Sequence, residues 1–240
     1  MDKDIEYLKK YLPEQLLTKG IERLKAKEPV QYIVGNVNFY GYHFNVNKSV
    51  LIPRFETEDL VYKTINYIKQ SFNECLKIAD LGTGSGCIAI TLKKELPNCS
   101  VTAVDISKEA LIVAKDNAKI NNVLVNFKLG DMLEPLTEKY DCIISNPPYI
   151  AYDEEVMEIV KNNEPNIALY AEDEGLKYYN QILMNASRYL NERNMIAFEI
   201  GASQGLEVKK IALNYFPDSV IKIEKDIYNR DRFVFIFNNL

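Results

Sequence analysis

One stretch of this chain constrains its fold more than any other: an apolar run that breaks into three closely spaced glycines. It reads Ile78-Ala79-Asp80-Leu81-Gly82-Thr83-Gly84-Ser85-Gly86, and a helical pattern over residues 87–96 follows until Pro97-Asn98 stops it. Glycines let the backbone turn sharply and approach a ligand closely, and the start of the next helix offers amide donors and partial positive charge. The spacing discriminates between ligands. A dinucleotide fingerprint would put its third glycine at position 87, which is Cys87, and no Gly-Lys-Ser/Thr follows to make a P-loop.

Residues 100–104 read as a second strand ending at Asp105, and Ser107 is placed to cap a helix through Ala110, Leu111, Val113, Ala114 and Ala118. An acid at that strand end can accept both hydroxyls of a ribose. Residues 124–129 alternate and end at Gly130-Asp131-Met132, a third strand end suited to border an adenine ring. Singly, each acid reads as a solvated turn or a helix cap. Together they describe a nucleoside pocket.

Asn146-Pro147-Pro148-Tyr149 follows the buried-type run Tyr140-Asp141-Cys142-Ile143-Ile144-Ser145, at a fourth strand end. A planar NH2 group has two hydrogens to donate and a lone pair delocalised into its π-system, so its nitrogen is a poor nucleophile. If the Asn146 side-chain oxygen accepts one hydrogen and the Pro147 carbonyl the other, the group is oriented and density moves onto nitrogen. The prolines fix φ and remove competing donors, and Tyr149 can lie against the flat face of the held group. Alone, Asn-Pro-Pro reads as a turn; beside a nucleoside pocket it reads as a grip for an amide or amine.

With these segments in view, the chain resembles the class I S-adenosylmethionine-dependent methyltransferases. Within them it is most similar to the protein-glutamine N5-methyltransferases of the PrmC/HemK family, which modify class I peptide chain release factors. The resemblance runs over about residues 29–237. It rests on Tyr32-Ile33-Val34-Gly35, Leu51-Ile52-Pro53-Arg54-Phe55-Glu56-Thr57, Asp80 to Gly86, Ser145 to Tyr149, Glu164-Pro165 with Ala168-Leu169, and Phe198-Glu199-Ile200-Gly201. The Asn-Pro-Pro-Tyr box alone is shared with DNA adenine methyltransferases; its combination with the other segments is far more specific.

The resemblance implies methyl transfer to the side-chain amide of the glutamine in a release factor's Gly-Gly-Gln motif. It implies S-adenosylmethionine as cofactor, with Gly82, Thr83, Gly84, Ser85 and Gly86 along its methionine part, Asp105 on the ribose, and Asp131 and Met132 beside the adenine. It further implies that Asn146 touches both cofactor and substrate, and that Pro147, Pro148 and Tyr149 complete the glutamine site. Two positions depart from the family pattern: Met132, where some relatives carry an aromatic residue, and Phe55, where a proline is common. The fold implied is a Rossmann-like, seven-stranded mixed α/β sheet with an antiparallel last strand. Family relatives carry a longer helical N-terminal domain, so either weaker substrate docking or docking through other surfaces is expected.

Such a mechanism needs no strong base, since the sulfonium already makes the methyl group electrophilic and proton loss can follow transfer. In-line placement is the task, a proximity effect worth up to about 7–11 kcal/mol. The only histidine, His43, lies well before the cofactor motif and is expected to be non-catalytic.

Two other substrates fit the same grip: a different protein glutamine, as in the ribosomal-protein branch, and a flipped-out adenine. With 29 basic against 34 acidic residues, net −5, a broad nucleic-acid surface is not expected, and no separate basic domain appears. A non-catalytic cofactor-binding protein is a third reading, against which the intact Asn146 to Tyr149 box argues. No metal site is expected: Cys75, Cys87, Cys99 and Cys142 are widely separated and read as small reduced core residues. A start without a basic region and apolar core, and no apolar stretch near 18 residues, predict a cytoplasmic protein, with a monomer favoured.

The expected organisation is a short helical region over residues 1–28, a β-hairpin connector over 29–52 and a catalytic domain over 53–240. Apolar residues from Ile5 to Leu24 recur at helical spacing on either side of Pro13. The hairpin is expected from strands at 30–35 and 39–46, turning near Gly35-Asn36. Residues 57–71 read as a helix and 151–170 as an acidic lid near the substrate mouth. Helices over 173–190 and 201–216, and strands over 195–200, 219–224 and 232–237, complete the chain.

Overall fold

The computed structural model describes residues 2–72 and 76–240, so Cys75 lies outside the described residues. Two short helices, α1 (Asp2–Tyr11) and α2 (Glu14–Lys25), are separated at Pro13, as the spacing predicts. They do not pack on the sheet. Leu8, Leu12, Leu17, Ile21 and Leu24 instead form a small core with Val30 and Ile33 of α3 (Val30–Val34).

That third helix is a correction, because a strand was expected over 30–35. Pro29 stands at its start and Gly35, at φ 84°, closes its end in the left-handed conformation. These are helix start and stop signals, and burial of Val30, Tyr32 and Ile33 outweighs the β propensity of their side chains. The hairpin therefore begins later, with β1 (Asn36–Phe39) and β2 (Tyr42–Asn45), and turns at Tyr40-Gly41, both at positive φ.

The rest runs α4 (Phe55–Ser71), β3 (Lys77–Leu81), α5 (Cys87–Glu95), β4 (Ser100–Asp105), α6 (Lys108–Ile120), β5 (Asn126–Leu129) and β6 (Tyr140–Ser145). Then come α7 (Glu158–Asn163), α8 (Lys177–Ala186), β7 (Leu190–Glu199), α9 (Gly205–Tyr215), β8 (Val220–Lys225) and β9 (Asp231–Asn238). Helix α8 starts later than expected because Asp173, Glu174 and Gly175 all have positive φ.

One seven-stranded sheet, ordered β5-β4-β3-β6-β7-β9-β8, carries the molecule, and β9 runs antiparallel to both neighbours. Alternation along the strands builds two cores. Ile78, Cys142, Ile144, Met195, Phe233 and Phe235 face α4 and α5, while Ala79, Ile143, Ile196, Phe198, Val234 and Ile236 face α8 and α9. Both faces are covered, which explains why these strands read as continuous apolar runs. Cys87, Cys99 and Cys142 are buried thiols. Among the described residues, no helix is long and apolar enough to cross a membrane and no acidic, Cys or His cluster could hold a metal.

Candidate functional site

The strand order reverses between β3 and β6, and a crevice opens outside the carboxyl ends of strands at such a point. Leu81 and Ser145 are register partners there, and the Ser145 hydroxyl donates to the Leu81 carbonyl at 2.7 Å. The residues that follow each, Gly82 and Asn146, are therefore held side by side although the sequence separates them widely. A cleft lies against both.

Of the residues singled out from sequence, the cleft is lined by Gly82, Gly84, Asp105, Asp131, Met132, Asn146 and Pro148. Gly82 and Gly84 have φ of 71° and 54°, and a Cβ on either would meet no protein atom within 4 Å: it would stand in the cleft. That is a cradle shaped for a ligand lying against bare backbone, and it fits the nucleoside-bearing cofactor. Asp105 accepts from the Gly84 amide and, through its other oxygen, from the Ser107 amide, both at 2.8 Å. Desolvation pushes its carboxyl up, yet each oxygen retains acceptor capacity. Asp131 is oriented by the Gln181 amide at 2.8 Å.

Thr83, Ser85, Gly86, Pro147 and Tyr149 are not in the lining. Thr83 turns inward and donates to Asp80 at 2.6 Å, where burial pushes the Asp80 carboxyl up to about 7. The Ser85 side chain is buried, and Gly86 lets α5 lie close to Ala114 of α6. Tyr149 packs against the α8 side of the core, and its carbonyl accepts from Gln204 at 2.9 Å. Burial and the nearby Glu199 push its phenol up. His43 is exposed on β2.

Sequence reasoning missed several lining residues. Ser49, Val50, Ile106, Ile167 and Tyr178 also line the cleft. Tyr178 has no local signal, because a helical stripe shows which residues enter the core but not which neighbour faces a cleft. Asn117 was legible only as one position of a helix. It is fully buried, donates to the carbonyls of Asn45 and Ser85 and accepts from the Asn45 amide, tying the hairpin to the glycine loop.

Glu164 shows the same lesson, since its segment read as a solvated acidic lid. Its side chain is only 1% exposed; it accepts from the Ile52 amide at 3.1 Å and pairs with Arg54. Leu51 and Pro165 line the cleft, so this pair clamps two of its walls together. Glu164→Ala is expected to weaken cofactor binding about tenfold and to cost ~2 kcal/mol of stability, because a buried amide and a half-buried guanidinium lose their acceptor. Calorimetric titration with S-adenosylmethionine and a melting curve check this; unchanged affinity would show that the clamp does not hold the cleft.

Comparison with known proteins agrees with this geometry. The family described as "Methyltransferase small domain" matches residues 64–200. The chain is 44% identical over 222 residues to the release factor glutamine methyltransferase of Lactococcus lactis subsp. lactis (strain IL1403), covering 92% of this chain and 81% of that one. It is 43% identical to the protein of the same name from Bacillus subtilis (strain 168), covering 89% and 77%. Among solved structures, it superposes with TM-score 0.51 and 26% identity on a release factor-specific protein-(glutamine-N5) methyltransferase from Alicyclobacillus acidocaldarius, covering 82% of this chain and all of that one.

Proposed function

Because the chain belongs to the release factor glutamine methyltransferases, we propose that the cleft between β3 and β6 moves a methyl group from S-adenosylmethionine to the side-chain amide nitrogen of a glutamine. The substrate is the Gly-Gly-Gln motif of class I peptide chain release factors, which places the work in the cytoplasm. When bound, S-adenosylmethionine supplies a methyl group made electrophilic by its sulfonium. The observation that carries the reading is that Asn146 and Pro148 share one cleft with Gly82, Gly84 and Asp105, so an amide grip and a nucleoside cradle meet at the strand-order reversal.

In this reading Gly82 and Gly84 let the methionine part lie on bare backbone, while Thr83, Ser85 and Gly86 act from behind, shaping the turn. Asp105 holds the ribose hydroxyls with the lone pairs its two amide partners leave free. Asp131 and Met132, with Ile106 and Tyr178, form the adenine end. The Asn146 oxygen accepts one hydrogen of the substrate amide, which points the nitrogen at the cofactor, while Pro147, outside the lining, fixes the turn that carries Asn146. Pro148 bounds the cleft, and Tyr149 supports the turn from the core side.

The test is incubation of the purified protein with radiolabelled S-adenosylmethionine and, separately, a release factor, its Gly-Gly-Gln→Gly-Gly-Ala variant, and adenine-containing DNA. Label on the intact factor alone is expected. Label on DNA, or equal label on the alanine variant, overturns the assignment and favours the adenine or another-glutamine reading.

A further inference from the structure

Behind Asn146 lies a polar chain that neither the glycine cradle nor the Asn-Pro-Pro-Tyr box accounts for. The Asn146 Nδ2 donates to Thr57 Oγ1 at 3.1 Å, and that hydroxyl donates to Glu199 Oε2 at 2.7 Å. Thr57 is 3% and Glu199 2% exposed, so no water competes for either. The two residues lie 142 positions apart: Thr57 in the first turn of α4, Glu199 at the end of β7. Only the sheet order brings them to the strand end where Asn146 sits.

A primary amide offers two donors on nitrogen and an acceptor on oxygen, and its two faces differ by nothing but a rotation of the side chain. The chemistry needs the oxygen outward, because a substrate NH2 meeting the Asn146 NH2 would face donors only. An ionised Glu199 accepts only, so it takes the Thr57 hydrogen. The Thr57 oxygen can then do nothing toward Asn146 except accept, which holds Nδ2 inward and turns Oδ1 to the substrate.

We propose that Thr57 and Glu199 are positioning residues that set the rotation of the Asn146 amide, and through it the acceptor presented to the substrate amide. This rests on the reading that Asn146 grips the substrate nitrogen. Neither residue touches substrate or cofactor; both act through Asn146.

The arrangement carries a pH dependence. Burial pushes the Glu199 carboxyl up to about 7, with Thr57 and Arg232 opposing the rise. Facing it are Glu56 and Arg54 at the start of α4, Tyr149 after β6, Tyr179 of α8, Cys87 of α5 and Arg232 of β9. Once protonated, Glu199 donates to Thr57, whose own hydrogen then points at Asn146 and draws its oxygen inward. Turnover at saturating cofactor and substrate is therefore expected to fall about tenfold per pH unit below about 7.

The test compares kcat, cofactor affinity and the pH profile of Thr57→Val, Thr57→Ser, Glu199→Gln and Asn146→Ala, using full-length protein and a purified release factor. Thr57→Val keeps the shape and removes the relay; kcat is expected to fall about tenfold to hundredfold, by analogy with the loss of groups that orient metal-binding side chains from behind. Cofactor affinity should stay within threefold, and Thr57→Ser should restore turnover. Glu199→Gln, which cannot titrate, should flatten the acid limb, and it decides the matter even if Thr57→Val folds poorly. Wild-type kcat in Thr57→Val, or an unchanged acid limb in Glu199→Gln, overturns the relay. Normal turnover in Asn146→Ala would instead overturn the grip itself, so the two failures are distinct.

Discussion

Asn146→Asp is expected to lower kcat by about 10²–10³-fold while leaving S-adenosylmethionine affinity within a few-fold. The exchange preserves the size of the side chain and its capacity to accept, which makes it sharper than truncation. Two things change. The inward donor to Thr57 disappears, and Thr57 is left between two carboxylates with one hydrogen to give. Two like charges flanking one buried hydroxyl raise each other's pKa, so at neutral pH one of them holds a proton. The outward group is then a carboxyl whose charge and proton position follow pH, instead of a fixed neutral acceptor. A misplaced or missing polar partner at a developing charge costs about 10²–10³ in rate. Single-turnover kinetics with saturating cofactor measures the step directly, and turnover within tenfold of wild type would sink the grip.

Gly175→Ala is expected to cost about 3 kcal/mol or more. Gly175 has φ 81°, and a Cβ there would lie 2.1 Å from the Tyr149 carbonyl oxygen and 2.5 Å from Gln204 Nε2. The left-handed conformation alone costs ~1–2 kcal/mol for alanine. Separating Gln204 from the Tyr149 carbonyl costs roughly another 1 kcal/mol, and the displaced backbone adds to it. For a chain of this length, about 2–4 °C of melting temperature goes with each kcal/mol, so a drop of about 6–12 °C follows. Gly41→Ala is the matched control, since φ is 80° but no atom lies within 4 Å of its Cβ. A Gly175→Ala melting point no lower than that of Gly41→Ala would show that the Tyr149 turn yields easily. If it does not yield, methyl transfer should fall as well, because the residues that move follow directly on Asn146, Pro147 and Pro148.

Much of this protein is legible in its sequence for one reason: the signals are local. The strand, glycine turn and helix at residues 77–95 stand where periodicity puts them, as do the strand ending at Asp105 and the Ser107 cap, whose oxygen accepts from the Ala110 amide at 3.1 Å. The run before Asn146 could be read as a buried strand because β6 is covered on both faces. Local reading failed where two local signals compete, as at residues 30–34, where β-branched side chains argued for a strand and the flanking Pro29 and Gly35 for a helix.

The sequence by itself determined the α/β class, the order of strands and helices along the catalytic region, and the residue types at each strand end. Only the tertiary structure decided which strand ends meet. Sheet order is a long-range choice, made by burying β3 and β6 against each other, and no spacing along the chain encodes it. That choice sets Gly82 beside Asn146, clamps Arg54 to Glu164, and brings Thr57 to Glu199 across 142 positions. Glu164 and Glu199 stand in segments the sequence marks, but their partners are not written there. Their function comes from burial, which withholds water and leaves each only the partner that the fold supplies.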